Sequence, residues 1–285
     1  MTLPISGHTQ SLALVASPCA QSSSPALHNT SFKLLNKDAR YFALDVQGAA
    51  LEPTVRGLAA LGFTGYNVGV PNKSAILAYL DEITDAARVM GAVNTVLIKD
   101  GKSIGYNTDG LSFTDTLEQA GIPVKGLCCV IADADGEGSA YATQAAFSGA
   151  RKVTLVAPAQ HLAPLKELAR KLEAETACAV DVLDLEDASA FADRVAEAQV
   201  FCNATRIGTG DQQAHTPLPK AYLHKGLTVL DAIYNPKETR LLAEAQEAGC
   251  RTIGGLELLL NQAAQAELLW LDCAMPKQAI AEALF

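Results

Sequence analysis

The sequence predicts an α/β protein of two domains, and two observations predict it. Short apolar runs alternate with helical patterns along most of the 285 residues, and from about residue 110 the alternation becomes regular. Repeated βα units of this length imply parallel strands joined by right-handed crossovers, a Rossmann-like sheet. The region before residue 110 carries a hairpin signal as well, so its architecture is expected to be mixed α/β.

Each element follows from its local pattern. Leu12–Ala16 reads as a short buried strand. Ser24-Pro25 places an N-cap before a proline at the first helical position, opening a helix to about Asn36. Tyr41–Val46 is a second strand, Pro53–Leu61 a helix, Gly65–Gly69 a third strand and Lys73–Leu80 a helix. Val93–Ile98 and Ser103–Tyr106 form a hairpin across Asp100-Gly101. Cys128–Ala132, Lys152–Val156, Ala179–Leu183, Val200–Asn203 and Thr228–Ala232 are the buried strands of the Rossmann-like sheet, with helices between most of them. Gly255–Leu271 and Pro276–Leu284 close the chain as helices.

Composition excludes several functions. Hydrophobic residues at 49% supply a full core, and charged residues at 19% with that core argue against disorder. A net charge of −9 is the wrong sign for nucleic-acid binding, and it obliges any anionic ligand to be held by local groups. The seven cysteines contain no C-x-x-C pair and the five histidines are scattered, so no metal site is expected. Their odd number and apolar settings suggest reduced thiols and a cytoplasmic protein. No signal peptide is recognised, and no apolar stretch approaches the roughly 18 residues of a membrane span.

Polar residues interrupt the apolar segments where loops leave strands, the region where α/β proteins bind ligands. Ser22, Ser23 and Ser24 precede a helix, a setting that suits a carboxylate, although capping by Ser24 explains them equally well. Lys73 near a helix start is ordinarily solvated, and Asp109 after Asn107-Thr108 is ordinarily a cap. Gln262 on an apolar helix face is ordinarily a satisfied core amide.

Taken in order, the segments resemble the shikimate dehydrogenase family. The resemblance rests on Ser22-x-Ser24-Pro25-x-x-His28-Asn29, Asn67-Val68-x-x-Pro71-x-Lys73, Gly91-Ala92-Val93-Asn94-Thr95 and Gly105-Tyr106-Asn107-Thr108-Asp109-Gly110. It continues through Asn203-Ala204-Thr205-x-x-Gly208, Asp231-x-x-Tyr234-x-Pro236, and Gly254-Gly255-Leu256 with Gln262-Ala263. The resemblance implies a reversible reduction of a ring ketone on a cyclic polyhydroxy carboxylate, with NADP or NAD as cofactor. It implies a catalytic pair, Lys73 and Asp109. It implies substrate contacts from Ser22, Ser24, Asn67, Asn94, Thr108, Tyr234 and Gln262. Cofactor contacts would come from Asp133, Ala134, Asp135, Gly136, Gly138, Ala157, Thr205 and Gly255. Residues 1–110 with 253–285 would bind substrate and 111–252 would bind the dinucleotide. The expected partner is the small acid. No nucleic acid and no membrane are expected, and a homodimer is compatible with the sequence.

Four departures from the family pattern stand out. Gln21 replaces a histidine. Gly69 replaces a threonine, which frees space for a differently substituted acid. In the phosphate loop, Asp133 and Asp135 stand at the first two glycine positions of G-x-G-x-x-G, leaving only Gly138. A carboxylate about 4 Å from a phosphate charge costs about 4 kcal/mol at an effective dielectric of about 20. A helix N-terminus returns roughly 0.3–1 kcal/mol. Without a ligand, either aspartate would make a good N-cap. Pro158 stands where an arginine would select NADP. Two readings follow: an active oxidoreductase with an adapted cofactor site, or a non-catalytic binder of shikimate-like acids that has lost the nucleotide.

Overall fold

The computed structural model describes residues 4–133 and 136–285. The chain forms two compact units, one of residues up to Thr108 with Gln262–Phe285, the other Asp109–Asn261.

In the first unit, β1 (Gln10–Ala16), α1 (Ser24–Leu34), β2 (Ala39–Asp45), α2 (Leu51–Ala60) and β3 (Gly65–Val68) make two parallel crossovers. Then come α3 (Asn72–Ala75) with a 3-10 turn at Ile76–Tyr79, β4 (Glu82–Ile83), α4 (Asp85–Met90), β5 (Thr95–Lys99) and β6 (Lys102–Tyr106). The six strands run β2-β1-β3-β5-β6-β4, with β5 antiparallel to both of its neighbours. The Asp100-Gly101 hairpin is present, both residues at positive φ as a two-residue turn needs. The sequence reading had no β4 and no α4. Both are very short, and only pairing with β6 fixes the first.

Successive side chains of a strand face opposite sides, and β1 shows it. Ala13 and Val15 join Val55, Tyr66 and Val96 on one face of the sheet; Leu12 and Leu14 join Phe32, Tyr41 and Trp270 on the other. Full burial of each large side chain is worth about 1.5–3 kcal/mol, so both faces contribute to holding the unit.

The second unit begins with α5 (Thr108–Gln119), whose first residue belongs to the first unit. It alternates β7 (Cys128–Asp133), α6 (Glu137–Phe147), β8 (Lys152–Ala157), α7 (Leu162–Glu175), β9 (Ala179–Asp184), α8 (Ala188–Glu197) and β10 (Val200–Ala204). There follow β11 (Thr228–Asp231), α9 (Arg240–Glu247), β12 (Arg251–Ile253) and the start of α10 (Gly255–Leu271). The final helix, α11 (Lys277–Leu284), belongs to the first unit. The sheet is wholly parallel in the order β12-β11-β10-β7-β8-β9. This is the doubly wound order, with its reversal between β7 and β10. Strands covered on both faces read as unbroken apolar runs, which is why β7 and β10 were legible in sequence. Five of the cysteines are buried and all are free. Among the described residues no helix is long and apolar enough to cross a membrane.

Candidate functional site

In the first unit a continuous chain of side-chain hydrogen bonds links the residues singled out in sequence. It begins where the chain leaves β1. Ser24 is already helical and Ser23 holds the cap position without a side-chain bond, so Ser24 is not the cap that its spacing suggested. Its hydroxyl instead accepts from Ser22 Oγ at 3.2 Å. The Ser24 hydroxyl also bonds the Tyr41 hydroxyl, whose pKa burial pushes well up, so it stays a protonated donor. Tyr41 donates to Asn67 Oδ1 at 2.7 Å. Asn67 Nδ2 then donates to Thr95 Oγ1 at 3.0 Å, and Thr95 Oγ1 lies 2.9 Å from Thr108 Oγ1. Asn94 Oδ1 accepts from the Thr108 N–H at 2.7 Å, and Gln262 Nε2 donates to Thr108 Oγ1 at 3.0 Å. Both ends of the buried Asn67 amide are therefore engaged by the protein, which makes it a scaffold for Tyr41 and Thr95. Gln262 is half-buried and its Nε2 donates to Thr108, which ties α10 to the polar chain.

Lys73 is half-buried in the first turn of α3. The preceding residue fixes it there: Asn72 Nδ2 donates to the Val46 carbonyl at 2.7 Å. The Val93 N–H donates to the Lys73 carbonyl at 2.9 Å, so the backbones of Lys73 and the Asn94 loop are tied together. Beside them, a Cβ built on Gly69 would lie 2.7 Å from the Ala16 Cβ. The space vacated by the missing threonine is thus closed by Ala16 of the adjoining strand, against the expectation of extra room.

Sequence reasoning missed the support beneath this chain. His28 Nδ1 and Glu267 Oε1 are 2.8 Å apart, and Ser31 Oγ donates to Glu267 Oε2 at 2.6 Å. The imidazole stacks on Tyr41 at 4.5 Å between centroids. Asn29 donates to the Tyr41 carbonyl at 2.9 Å and accepts from its N–H at 3.0 Å. His28-Asn29 of the serine motif therefore fastens α1 to β2 and α10. A glutamate inside Ala266-Glu267-Leu268-Leu269-Trp270 was the available signal.

The second unit holds the remaining candidates. Asp109 lies half-buried in the first turn of α5, inside the helix and past its opening residue, so it is not the cap. Its charge acts on Tyr141, whose pKa is raised first by burial and then by nearby carboxylates, Asp109 among them. Tyr234 stands 42% exposed after β11. Asn203 Nδ2 donates to Asp231 Oδ1 at 3.0 Å, and Thr239 Oγ1 donates to Asp231 Oδ2 at 2.6 Å. Burial raises Asp231 to a pKa of about 6. Thr205 Oγ1 donates to Asn203 Oδ1 at 2.7 Å, so Thr205 is part of this network. Ala157 ends β8 and is buried. A Cβ on Gly255 would lie 2.2 Å from the Ala232 carbonyl oxygen, so close packing of α10 on the end of β11 requires that glycine.

Ala134 and Asp135 lie outside the described residues. Gly136, the N-cap of α6, sits at φ +90°, where a side chain would be strained. Asp133 is 1% exposed and its carboxylate turns back over the start of α6. Oδ1 accepts from the N–H groups of Gly136 at 3.0 Å and Gly138 at 3.3 Å. Oδ2 accepts from the Ser139 N–H at 2.9 Å and the Ser139 hydroxyl at 2.7 Å. Asp133 is thus not the N-cap residue, yet it does the cap's work from three positions back. Gly138 is required by this arrangement, since its Cβ would fall 2.6 Å from that of Asp133. In a dinucleotide fold these N–H groups at the switch point receive the diphosphate. Here they are occupied by the chain's own anion, so the sheet suits a dinucleotide while this cradle does not suit its diphosphate.

Residues 14–96 match the family described as the shikimate dehydrogenase substrate binding domain. A shikimate dehydrogenase (NADP(+)) of Listeria monocytogenes is 37% identical, across 100% of this chain and 99% of its own. Among solved structures, a shikimate 5-dehydrogenase from Listeria monocytogenes, in complex with shikimate and NAD, aligns with a TM-score of 0.96 at 36% identity over 100% of this chain and 99% of its own. A 5-ketofructose reductase of Gluconobacter sp. aligns with a TM-score of 0.89 at 30% identity over 98% of this chain and 99% of its own. With the motifs in register from the serines to Gln262, the chain belongs to the shikimate dehydrogenase family.

Proposed function

We propose that the chain is an NAD(P)-dependent oxidoreductase that interconverts a ring hydroxyl and a ketone on shikimate, quinate or a related cyclic polyhydroxy carboxylate. One observation carries the reading: the unbroken polar chain from Ser22 through Tyr41, Asn67, Thr95 and Thr108 to Gln262. A merely structural fold gains little from so many buried amides and hydroxyls, each of which must be matched. A polyol acid uses them. Ser22 and Ser24 suit its carboxylate, and Asn94, Thr108 and Gln262 suit ring hydroxyls. Tyr234 is assigned to the same ligand by its motif. Direct hydrogen bonding discriminates strongly against analogues that lack a hydroxyl, because the partners are then left unpaired.

In oxidation Lys73, as the neutral amine, takes the proton of the reacting hydroxyl and becomes ammonium; in reduction the ammonium returns it. The family motif assigns Asp109 as the second member of the catalytic pair. The nicotinamide cofactor, which curated relatives name as NADP(+), supplies the hydride acceptor. The first unit is assigned to the acid, the second to the nucleotide. The protein works in the cytoplasm without nucleic acid or membrane, and sedimentation will tell a monomer from a homodimer.

The test follows nicotinamide absorbance with shikimate, quinate and 5-ketofructose, each with saturating NADP and NAD. Turnover with a cyclic acid is expected. Lys73→Met should lower kcat by about 100-fold or more with a small change in KM, as for loss of a general acid–base. No turnover with any pair, at millimolar cofactor, would remove the reading.

A further inference from the structure

We infer that Asp133 is a built-in anion that keeps the cofactor's diphosphate off the start of α6, so that the nucleoside moieties carry the binding. The inference rests on the reading of the second unit as the nucleotide-binding part. It goes beyond that reading by saying which portion of the cofactor the site grips. Three features support it. The carboxylate is buried, with four donors on its two oxygens. Three of those donors are backbone N–H groups of the helix start, the groups that a phosphate oxygen would need. Asp133 also lies at the reversal of strand order, opposite Ala204 of β10, where a ligand reaches the carboxyl ends of the strands.

The arrangement is also self-consistent in packing. Gly138 admits the Asp133 side chain, and Gly136 takes the left-handed conformation just ahead of α6. A phosphate arriving at this terminus must either displace the carboxylate or settle elsewhere. The helix start therefore has its charge satisfied before any cofactor comes.

Calorimetric titration of the intact protein with adenosine, ADP and NADP tests this, alongside Asp133→Gly and Asp133→Asn. In the natural sequence ADP should bind no tighter than adenosine. In Asp133→Gly, which frees all three N–H groups, ADP should gain about tenfold or more over adenosine while adenosine stays unchanged. Asp133→Asn, which removes charge but keeps shape, should fall between. ADP binding about tenfold tighter than adenosine in the natural sequence would overturn the inference, as would a folded Asp133→Gly whose ADP affinity does not rise. If Asp133→Gly does not fold by circular dichroism, the adenosine-to-ADP ratio of the natural sequence decides alone. Shikimate turnover is read separately: its absence bears on the proposed activity, and the nucleotide ratio bears only on Asp133.

Discussion

Two buried acids show how differently a carboxylate can be held. Glu267 is hydrogen-bonded to His28 and by Ser31, and neither the imidazole nor the carboxyl group is meaningfully exposed. Removing one partner leaves a buried polar group without its hydrogen bond, which typically costs about 1–3 kcal/mol. Asp231 is held by Asn203, Thr239 and the Ile233 N–H, and burial raises it from 3.8 to about 6. A raised acid favours the folded state when protonated. Its contribution is therefore full below about pH 4 and is lost as pH rises through about 6. At about 1.36 kcal/mol per unit, a shift of about 2 units gives a loss of about 3 kcal/mol. Chemical denaturation of the natural chain and of Asp231→Asn across this interval should show their stability difference changing by that order, in the variant's favour at the higher pH. A constant difference would mean that Asp231 titrates normally.

At the scale of elements, backbone contact decides more than side-chain chemistry. Gly255 lets the start of α10 touch the end of β11. Gly255→Ala should lower stability by about 1–3 kcal/mol through overpacking, measurable as a drop in Tm. The parallel strands were legible because burial on both faces writes an apolar run, and Leu12–Ala16 and Cys128–Ala132 both fell within observed strands. β4 and α4 were not legible, since two and six residues carry too little periodicity to stand out. The candidate site was marked in sequence by motif positions, from Ser22 to Gln262. What those positions do was less legible. Nothing local says that Ser24 would leave capping to Ser23, or that Ala16 would close the space beside Gly69. Asp133 carries two readings in sequence, a charge facing a ligand or, without one, a helix cap, and its side chain caps α6 although Gly136 is the N-cap residue. Its actual partners are three to six residues further along, and they become visible only once the turn at Gly136 is known.

The whole molecule carries a net charge of −9, so an incoming acid is recruited by local groups against the general field. Binding energy then appears directly as stability. Shikimate at a hundred times its dissociation constant should add about 2.7 kcal/mol, and a thermal-shift series should show it. If ADP at the same concentration matches that rise, the second unit grips phosphate better than its Asp133 allows. The sequence also contains a single tryptophan. Trp270 is buried in the first unit, its indole N–H donating to the Val96 carbonyl at 2.9 Å and its ring tilted against His28 at 5.5 Å between centroids. Intrinsic emission excited at the indole band is consequently a private signal from one half of the polypeptide. A red shift during a urea titration marks the moment when water reaches β5. Amide circular dichroism follows both halves at once, and any gap between the two curves measures how independently the halves melt.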